Sequence, residues 1–179
     1  MVDKKVIQKC IDGDRNAEEY LYRYYAPKMK SLCIRYARSG FEAEDIFQEA
    51  FIKVFRNLKH FSFQGSFDGW IRRIVVNTAI DHYNKNLDFN SHANFETVHE
   101  SSIDFVEIAD QLGVDELKEV INKLPDGYKL IFNLYAVDGY AHKEIADMLK
   151  ISEGTSKSQL AKARKYIKNI LVKYNTILR

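Results

Sequence analysis

Apolar positions recur at three- and four-residue steps along most of this chain. Over residues 16–38 the step is carried by Tyr20, Leu21, Tyr24, Tyr25, Met29, Leu32 and Tyr36, which predicts a helix that Pro27 bends or interrupts. Residues 43–58 repeat the pattern more cleanly, with Ile46, Phe47, Ala50, Phe51, Val54 and Leu58 on one stripe. A loop follows over residues 60–66, holding Gly65 and flanked by Phe61, Phe63 and Phe67. Ser66 is placed to cap a further helix running to about Asn86, whose inner face is Phe67, Trp70, Ile71, Ile74 and Thr78. Arg73, Asn77, Ile80 and Asn84 form a second stripe at its flank.

The periodicity fades over residues 87–112 and returns after them. A helix is expected over residues 115–123, and another from Pro125 to Gly139. Residues 143–149, a turn at 150–154 and a long helix from Thr155 to about Tyr174 complete the pattern. With two prolines and eight glycines the chain lacks the turn residues an all-β fold needs. The fold class expected is all-α: two small helical domains, residues 1–86 and 113–179, joined by a linker over 87–112.

Charge sharpens that division. The net charge of +2 is unremarkable, but residues 1–86 carry +4, residues 87–112 carry −6 with no Lys or Arg, and residues 113–179 carry +4. Two basic blocks joined by an acidic strip point to two polyanion-binding modules and a linker.

The C-terminal block has the pattern of a helix-turn-helix. Ile145, Ala146 and Leu149 form the inner face of a short helix, and the small Ala146 lets a second helix cross closely. Ile151 fills the corner, and Ser152 is a candidate N-cap. The next helix would bury Ser156, Leu160, Ala163, Ile167 and Leu171. Its other face carries Thr155, Ser158, Ala161, Lys162 and Lys165, with Lys157 at the edge and Gln159 also assigned outward. From Thr155 to Arg179 there are seven basic residues and no acid. Small residues permit close approach to a major groove, and hydroxyls and lysines reach base edges and phosphates. An ordinary helical hairpin with a solvated basic face is the alternative.

Three stretches in order carry a family resemblance: residues 43–61 (AEDIFQEAFIKVFRNLKHF), 65–86 (GSFDGWIRRIVVNTAIDHYNKN) and 124–167, which begins LPDGYKLIFNLY. Together they resemble the extracytoplasmic-function group of sigma factors, within the sigma-seventy family. The resemblance implies a subunit that binds core RNA polymerase, directs it to promoter DNA and assists melting, without catalysing a reaction itself. It implies that Asp45, Gln48 and Glu49 contact the clamp helices of the largest polymerase subunit, and that the C-terminal domain touches the flap. Phe61, Phe63, Arg72, Arg73 and Asn77 would engage the −10 element, with Asn77 by the pocket for an unstacked base. Thr155, Lys157, Ser158, Ala161, Lys162 and Lys165 would engage the −35 element. The acidic linker would run through the polymerase's RNA channel, and an anti-sigma factor is the implied regulator. The residues alone leave other readings open: Asn77 as a structural amide, Phe61, Phe63 and Trp70 as core, and the Asp45–Glu49 face as merely solvated. Ala141 departs from the family, which commonly has Ser or Thr capping there.

Other classes find little support. His60, His82, His92, His99 and His142 are scattered, and none forms a metal-ligand spacing. Cys10 and Cys33 read as buried thiols of a reducing compartment. No apolar run reaches the length of a membrane span, and no signal peptide is apparent. The expectation is a cytoplasmic protein with no cofactor or metal and no membrane insertion. The competing expectation is a helix-turn-helix regulator of another kind, with an N-terminal sensory or dimerising domain.

Overall fold

A computed structural model describes residues 2–89 and 114–177, and every regular element within them is helical. The chain divides into two compact units, residues 1–92 and 93–179. From residue 90 to 113, the acidic strip with His92, Glu96 and His99 lies outside the described residues.

The first unit contains α1 (Lys4–Ile11), α2 (Arg15–Tyr36), α3 (Gly40–Asn57), a single 3-10 turn (Leu58–His60) and α4 (Phe67–Phe89). Side-chain caps start the first three helices. Asp3 accepts from the Lys5 amide at 2.9 Å, Asp14 from Asn16 at 2.9 Å and Ala17 at 3.2 Å, and Ser39 from Glu42 at 3.1 Å. Each such cap is worth ~1 kcal/mol. Gly13 turns the chain between α1 and α2 at a φ of +85°, where a side chain would be strained. Pro27 leaves α2 as one helix. Its ring is exposed, so the carbonyl it deprives of a partner can face water.

These helices bury Leu21, Tyr25, Met29, Leu32 and Cys33 of α2 against Ile46, Phe47, Ala50, Phe51 and Val54 of α3. Helix α4 packs on both. Its buried arc is wider than the stripe read from the sequence: besides Phe67, Ile71 and Thr78 it includes Val75, Val76, Ala79 and Ile80, while Trp70 and Ile74 are only half-buried. Ile80, assigned to the flank by sequence, is therefore core. Thr78 tolerates full burial because its hydroxyl donates to the Ile74 carbonyl at 2.9 Å. Ser66 does cap α4, its hydroxyl accepting from the Gly69 amide at 3.4 Å. Both thiols are buried, and desolvation pushes Cys10 up to about 11 and Cys33 up to about 12, so they stay protonated.

The second unit contains α5 (Val114–Asn122), α6 (Asp126–Phe132), α7 (His142–Leu149) and α8 (Glu153–Ile177). The helix expected to run to Gly139 instead widens after Phe132 into a π turn over Asn133–Val137. The Asp138 amide reaches the Asn133 carbonyl at 2.9 Å and Tyr140 reaches Leu134 at 2.9 Å, which ends the helix before α7. Helix α8 packs against α5, α6 and α7. It buries Ser156, Leu160, Ala163, Ile167 and Leu171 as the spacing predicts.

One contact between helices tests the packing of the first unit. The Tyr25 hydroxyl donates to Asp68 at 3.2 Å, and Lys28 pairs with the same carboxylate at 2.8 Å, fixing the start of α4 to α2. Tyr25→Phe is expected to cost about 1 kcal/mol, the net worth of one such bond. Trp70, the only tryptophan, lies in this unit, so urea unfolding followed by its fluorescence reports the loss directly.

Candidate nucleic-acid interface

In the second unit, α7 and α8 meet across a short turn. Lys150 closes α7 in the left-handed region at a φ of +55°, its amide bonded to Ala146, and the Ile151 amide also reaches Ala146 at 3.1 Å. Ser152 then caps α8, accepting from the Thr155 amide at 3.0 Å. At the other end of α7 the missing hydroxyl of Ala141 is replaced from below: the Glu144 carboxylate accepts from the Ala141 amide at 2.8 Å. That is half of a capping box, and it accounts for the departure from the family pattern. The two helices are also joined by a hydrogen bond of 2.9 Å between His142 Nδ1 and the hydroxyl of the buried Ser156. Tyr135 stacks on the His142 ring at 4.4 Å between centroids.

This bracing leaves the remaining face of α8 outward. Thr155, Ser158, Ala161 and Lys162 are half-exposed, and Lys157 and Lys165 are exposed. Gln159 is not on that face: it is 4% exposed and lies among the core residues. Lys157 approaches Glu153 at 3.9 Å one turn back, a weak surface pair.

In the first unit, α4 keeps one fully exposed line with half-buried residues on its flanks. Among its residues with described side chains, the exposed ones are Gly69, Arg73, Asn77, Asp81 and Lys85, each four residues from the last. Asn77 is exposed, and its side-chain amide makes no hydrogen bond to a described residue. Arg72 lies beside this line, half-buried.

The loop before α4 is aromatic and strained. Phe61 is buried in a cluster with Phe67 at 4.9 Å, Phe63 at 5.1 Å and Trp70 at 5.4 Å between ring centroids. Phe63 and Trp70 are half-exposed. Phe63 adopts a φ of +57°, an unfavourable region for a bulky side chain. Phe61 is thus the packed base of the cluster, and Phe63 is its accessible ring. Asn77 lies about 15 Å along the helix axis from the start of α4, with Arg73 one turn nearer the loop.

Helix α3 presents its own outward line: Phe41, Asp45, Gln48, Ile52 and Arg56, all exposed. Phe41 is 89% exposed and Ile52 is 50% exposed, two apolar side chains that the sequence reading did not single out. The signal was there, since both fall off the buried stripe at helical spacing. Glu49 sits apart from that line and faces α4. It accepts from Lys53 at 2.9 Å and meets His82 Nε2 at 2.8 Å, while Lys53 also pairs with Asp81 at 3.0 Å. These partners, Lys53 first and His82 second, hold the Glu49 carboxyl down to about 2. The Glu49 side chain therefore braces α3 against α4. No group of His, Cys, Asp and Glu among the described residues could hold a metal, and no described helix is long and apolar enough to cross a membrane.

Comparison with known proteins follows the same two units. Sigma-70 region 2 matches residues 21–87, and Sigma-70, region 4 matches residues 115–167. The ECF RNA polymerase sigma-E factor of Escherichia coli K12 is 30% identical, with 94% of each chain covered. The RNA polymerase sigma-H factor of Pseudomonas aeruginosa is 27% identical over 94% of this chain and 93% of its own. Among solved structures, the sigma factor RpoE in complex with the anti-sigma factor NepR from Bartonella quintana shares the fold at a TM-score of 0.54 and 18% identity. The match covers 87% of this chain and 96% of that one.

The Glu49 bridge carries a pH dependence. A carboxyl lowered on folding stabilises above its ordinary value of 4.5 and stops doing so as pH falls toward 2. Glu49→Gln is expected to cost about 1 kcal/mol at pH 7, discounted for partial exposure. In urea melts read by Trp70, that difference from the parent should be largely gone by pH 2.

Proposed function

The chain belongs to the sigma-70 family, in its extracytoplasmic-function group, and from that premise we propose how its residues divide the work of a sigma factor. The protein binds core RNA polymerase, directs it to promoters and assists melting. The ordered match of region 2 and region 4 sets aside a regulator with an unrelated N-terminal sensory domain. In our reading residues 1–86 serve the polymerase and the −10 element, residues 87–112 are the acidic linker, and residues 113–179 serve the −35 element.

The observation that carries the −10 assignment is the exposed line on α4. That line carries an arginine and an exposed amide one turn apart, Arg73 and Asn77. An extruded base needs a polar reader for its edge and an apolar surface for its face. Asn77 supplies the first and Phe63 the accessible ring, with Phe61 fixing Phe63 from beneath. Arg72 and Arg73 hold phosphates.

Upstream, α8 enters the major groove with Thr155, Ser158 and Ala161 close to the bases. Lys157, Lys162 and Lys165 sit nearer the backbone. Core polymerase docks on α3 through Asp45 and Gln48. Phe41 and Ile52, at either side of that pair, supply the apolar contact that polar side chains alone do not. Glu49 acts by holding this helix against α4.

No bond chemistry is required of any of these residues. Binding energy spent on an unstacked base stabilises separated strands. The protein works in the cytoplasm, where the polymerase and chromosome are. An anti-sigma factor, such as the one bound by the Bartonella relative, is the regulatory partner this reading expects.

The test is reconstituted transcription. Asn77→Ala is expected to lower open-complex formation about tenfold, the effect of ~1.4 kcal/mol of lost base contact, with core affinity unchanged. Permanganate footprinting of melted thymines reads the first quantity, and competition for core polymerase reads the second. Equal loss of both would place Asn77 in the structure of the domain instead.

A further inference from the structure

On the exposed line of α4, Gly69, Arg73, Asn77 and Lys85 are neutral or positive, whereas Asp81 is a carboxylate. Asp81 follows Asn77 by one turn, about 6 Å along the helix axis. Its side chain is 55% exposed, so burial does not suppress the charge. A phosphate drawn toward Asn77 would come within the Debye length of Asp81, about 10 Å at 0.1 M salt, where like charges still repel.

That carboxylate is met from the neighbouring helix. Lys53 of α3 places its ammonium 3.0 Å from Asp81, which pairs with no other described residue. Lys53 is half-buried, and Glu49 holds it at 2.9 Å one turn back on α3. Burial alone would lower the Lys53 value, but hydrogen bonds to Glu49 and Asp81 raise it above the ordinary one, so the ammonium stays charged. The contact of His82 with Glu49 at 2.8 Å joins the same two helices without Lys53. Lys53 therefore supplies something besides a brace: a positive charge carried from α3 to an acid on the α4 line.

We propose that Lys53 tunes promoter opening by neutralising Asp81, so that the carboxylate beside Asn77 does not repel the DNA backbone. The inference rests on the −10 reading above and adds to it a residue from a helix that does not carry the line. Lys53 touches no DNA in this account. It acts through Asp81, and its contribution is the sign of the charge it cancels.

The experiment uses holoenzyme reconstituted from core polymerase and the full chain, with open complexes on a duplex promoter read by permanganate footprinting over a salt series. Lys53→Met leaves Asp81 bare. Opening is expected to fall roughly fivefold at low salt, and the deficit relative to the parent should shrink as added salt shortens the Debye length. Asp81→Asn removes the acid itself and should open promoters at least as well as the parent. Lys53→Met/Asp81→Asn should return to that level, and Lys53→Arg should match the parent throughout the series. Competition for core polymerase should show equal affinity for all four variants, and urea melts read by Trp70 check that each is folded. A purely bracing role gives the opposite pattern: Asp81→Asn as defective as Lys53→Met, a double variant that stays defective, and a deficit that salt does not lessen. That pattern overturns the proposal, as does normal opening by Lys53→Met or a deficit explained by lost core affinity. Asn77→Ala separates the two readings. If it opens promoters normally, the −10 reading falls and this inference with it. If it is defective while Lys53→Met is not, the −10 reading stands and only the role of Lys53 is lost.

Discussion

A helix in a small domain can bury one side and must leave the other to water, and what it leaves out is what it can offer a partner. Packing of α4 on both α2 and α3 takes Ile71, Val75, Val76, Ala79 and Ile80 out of solvent and leaves one fully exposed line, from Gly69 through Arg73, Asn77 and Asp81 to Lys85, with half-buried residues on its flanks. Helix α8 buries a comparable share of its residues and keeps a face of hydroxyls, a methyl and lysines, the chemistry we propose for a major groove. The two helices thus differ in what their outward faces carry more than in how much of each is covered.

The bracing between helices matters as much as the burial. Glu49, Lys53, Asp81 and His82 form a bridge between α3 and α4. Half-buried pairs of this kind add about 1 kcal/mol at most. Their effect is positional: Asp81 belongs to the outward line of α4, and Lys53 follows Gln48 by just over one turn on α3. The face we propose for polymerase and the line we propose for DNA are therefore fixed relative to each other within one unit. In the second unit the His142–Ser156 hydrogen bond, with Tyr135 stacked on the ring, does the equivalent for the two helices of the helix-turn-helix.

Much of this was legible in the sequence because helical spacing is a strong signal where the apolar residues are unambiguous. The buried line Ser156, Leu160, Ala163, Ile167 and Leu171 came directly from steps of three and four. Gln159 was misplaced because its polarity was weighed above its angle, which falls beside Ser156 and Ala163 on the buried side. The width of the α4 core was missed for a related reason: one stripe was sought, whereas a helix between two others buries two adjacent stripes. The π turn after Phe132 left no trace in the periodicity, since a widened turn depends on which carbonyl each amide finds. Glu49 could not be separated from Asp45 and Gln48 by pattern alone, because its partner on α4, His82, lies 33 residues away.

The separation into two units completes the physical account. A single small helical module buries limited surface on DNA, and modest contacts of that size bind weakly and with strong salt dependence. Two such modules attached to one large scaffold behave differently, because engagement of the first raises the effective concentration of the second. Affinity then requires both elements at a spacing the scaffold allows, although neither surface has to be strong. The advantage of weak individual contacts is release: held as proposed by a half-exposed phenylalanine, one amide and a handful of lysines, the subunit can let go once the polymerase moves. A chain optimised for tight duplex binding on its own would forfeit that property.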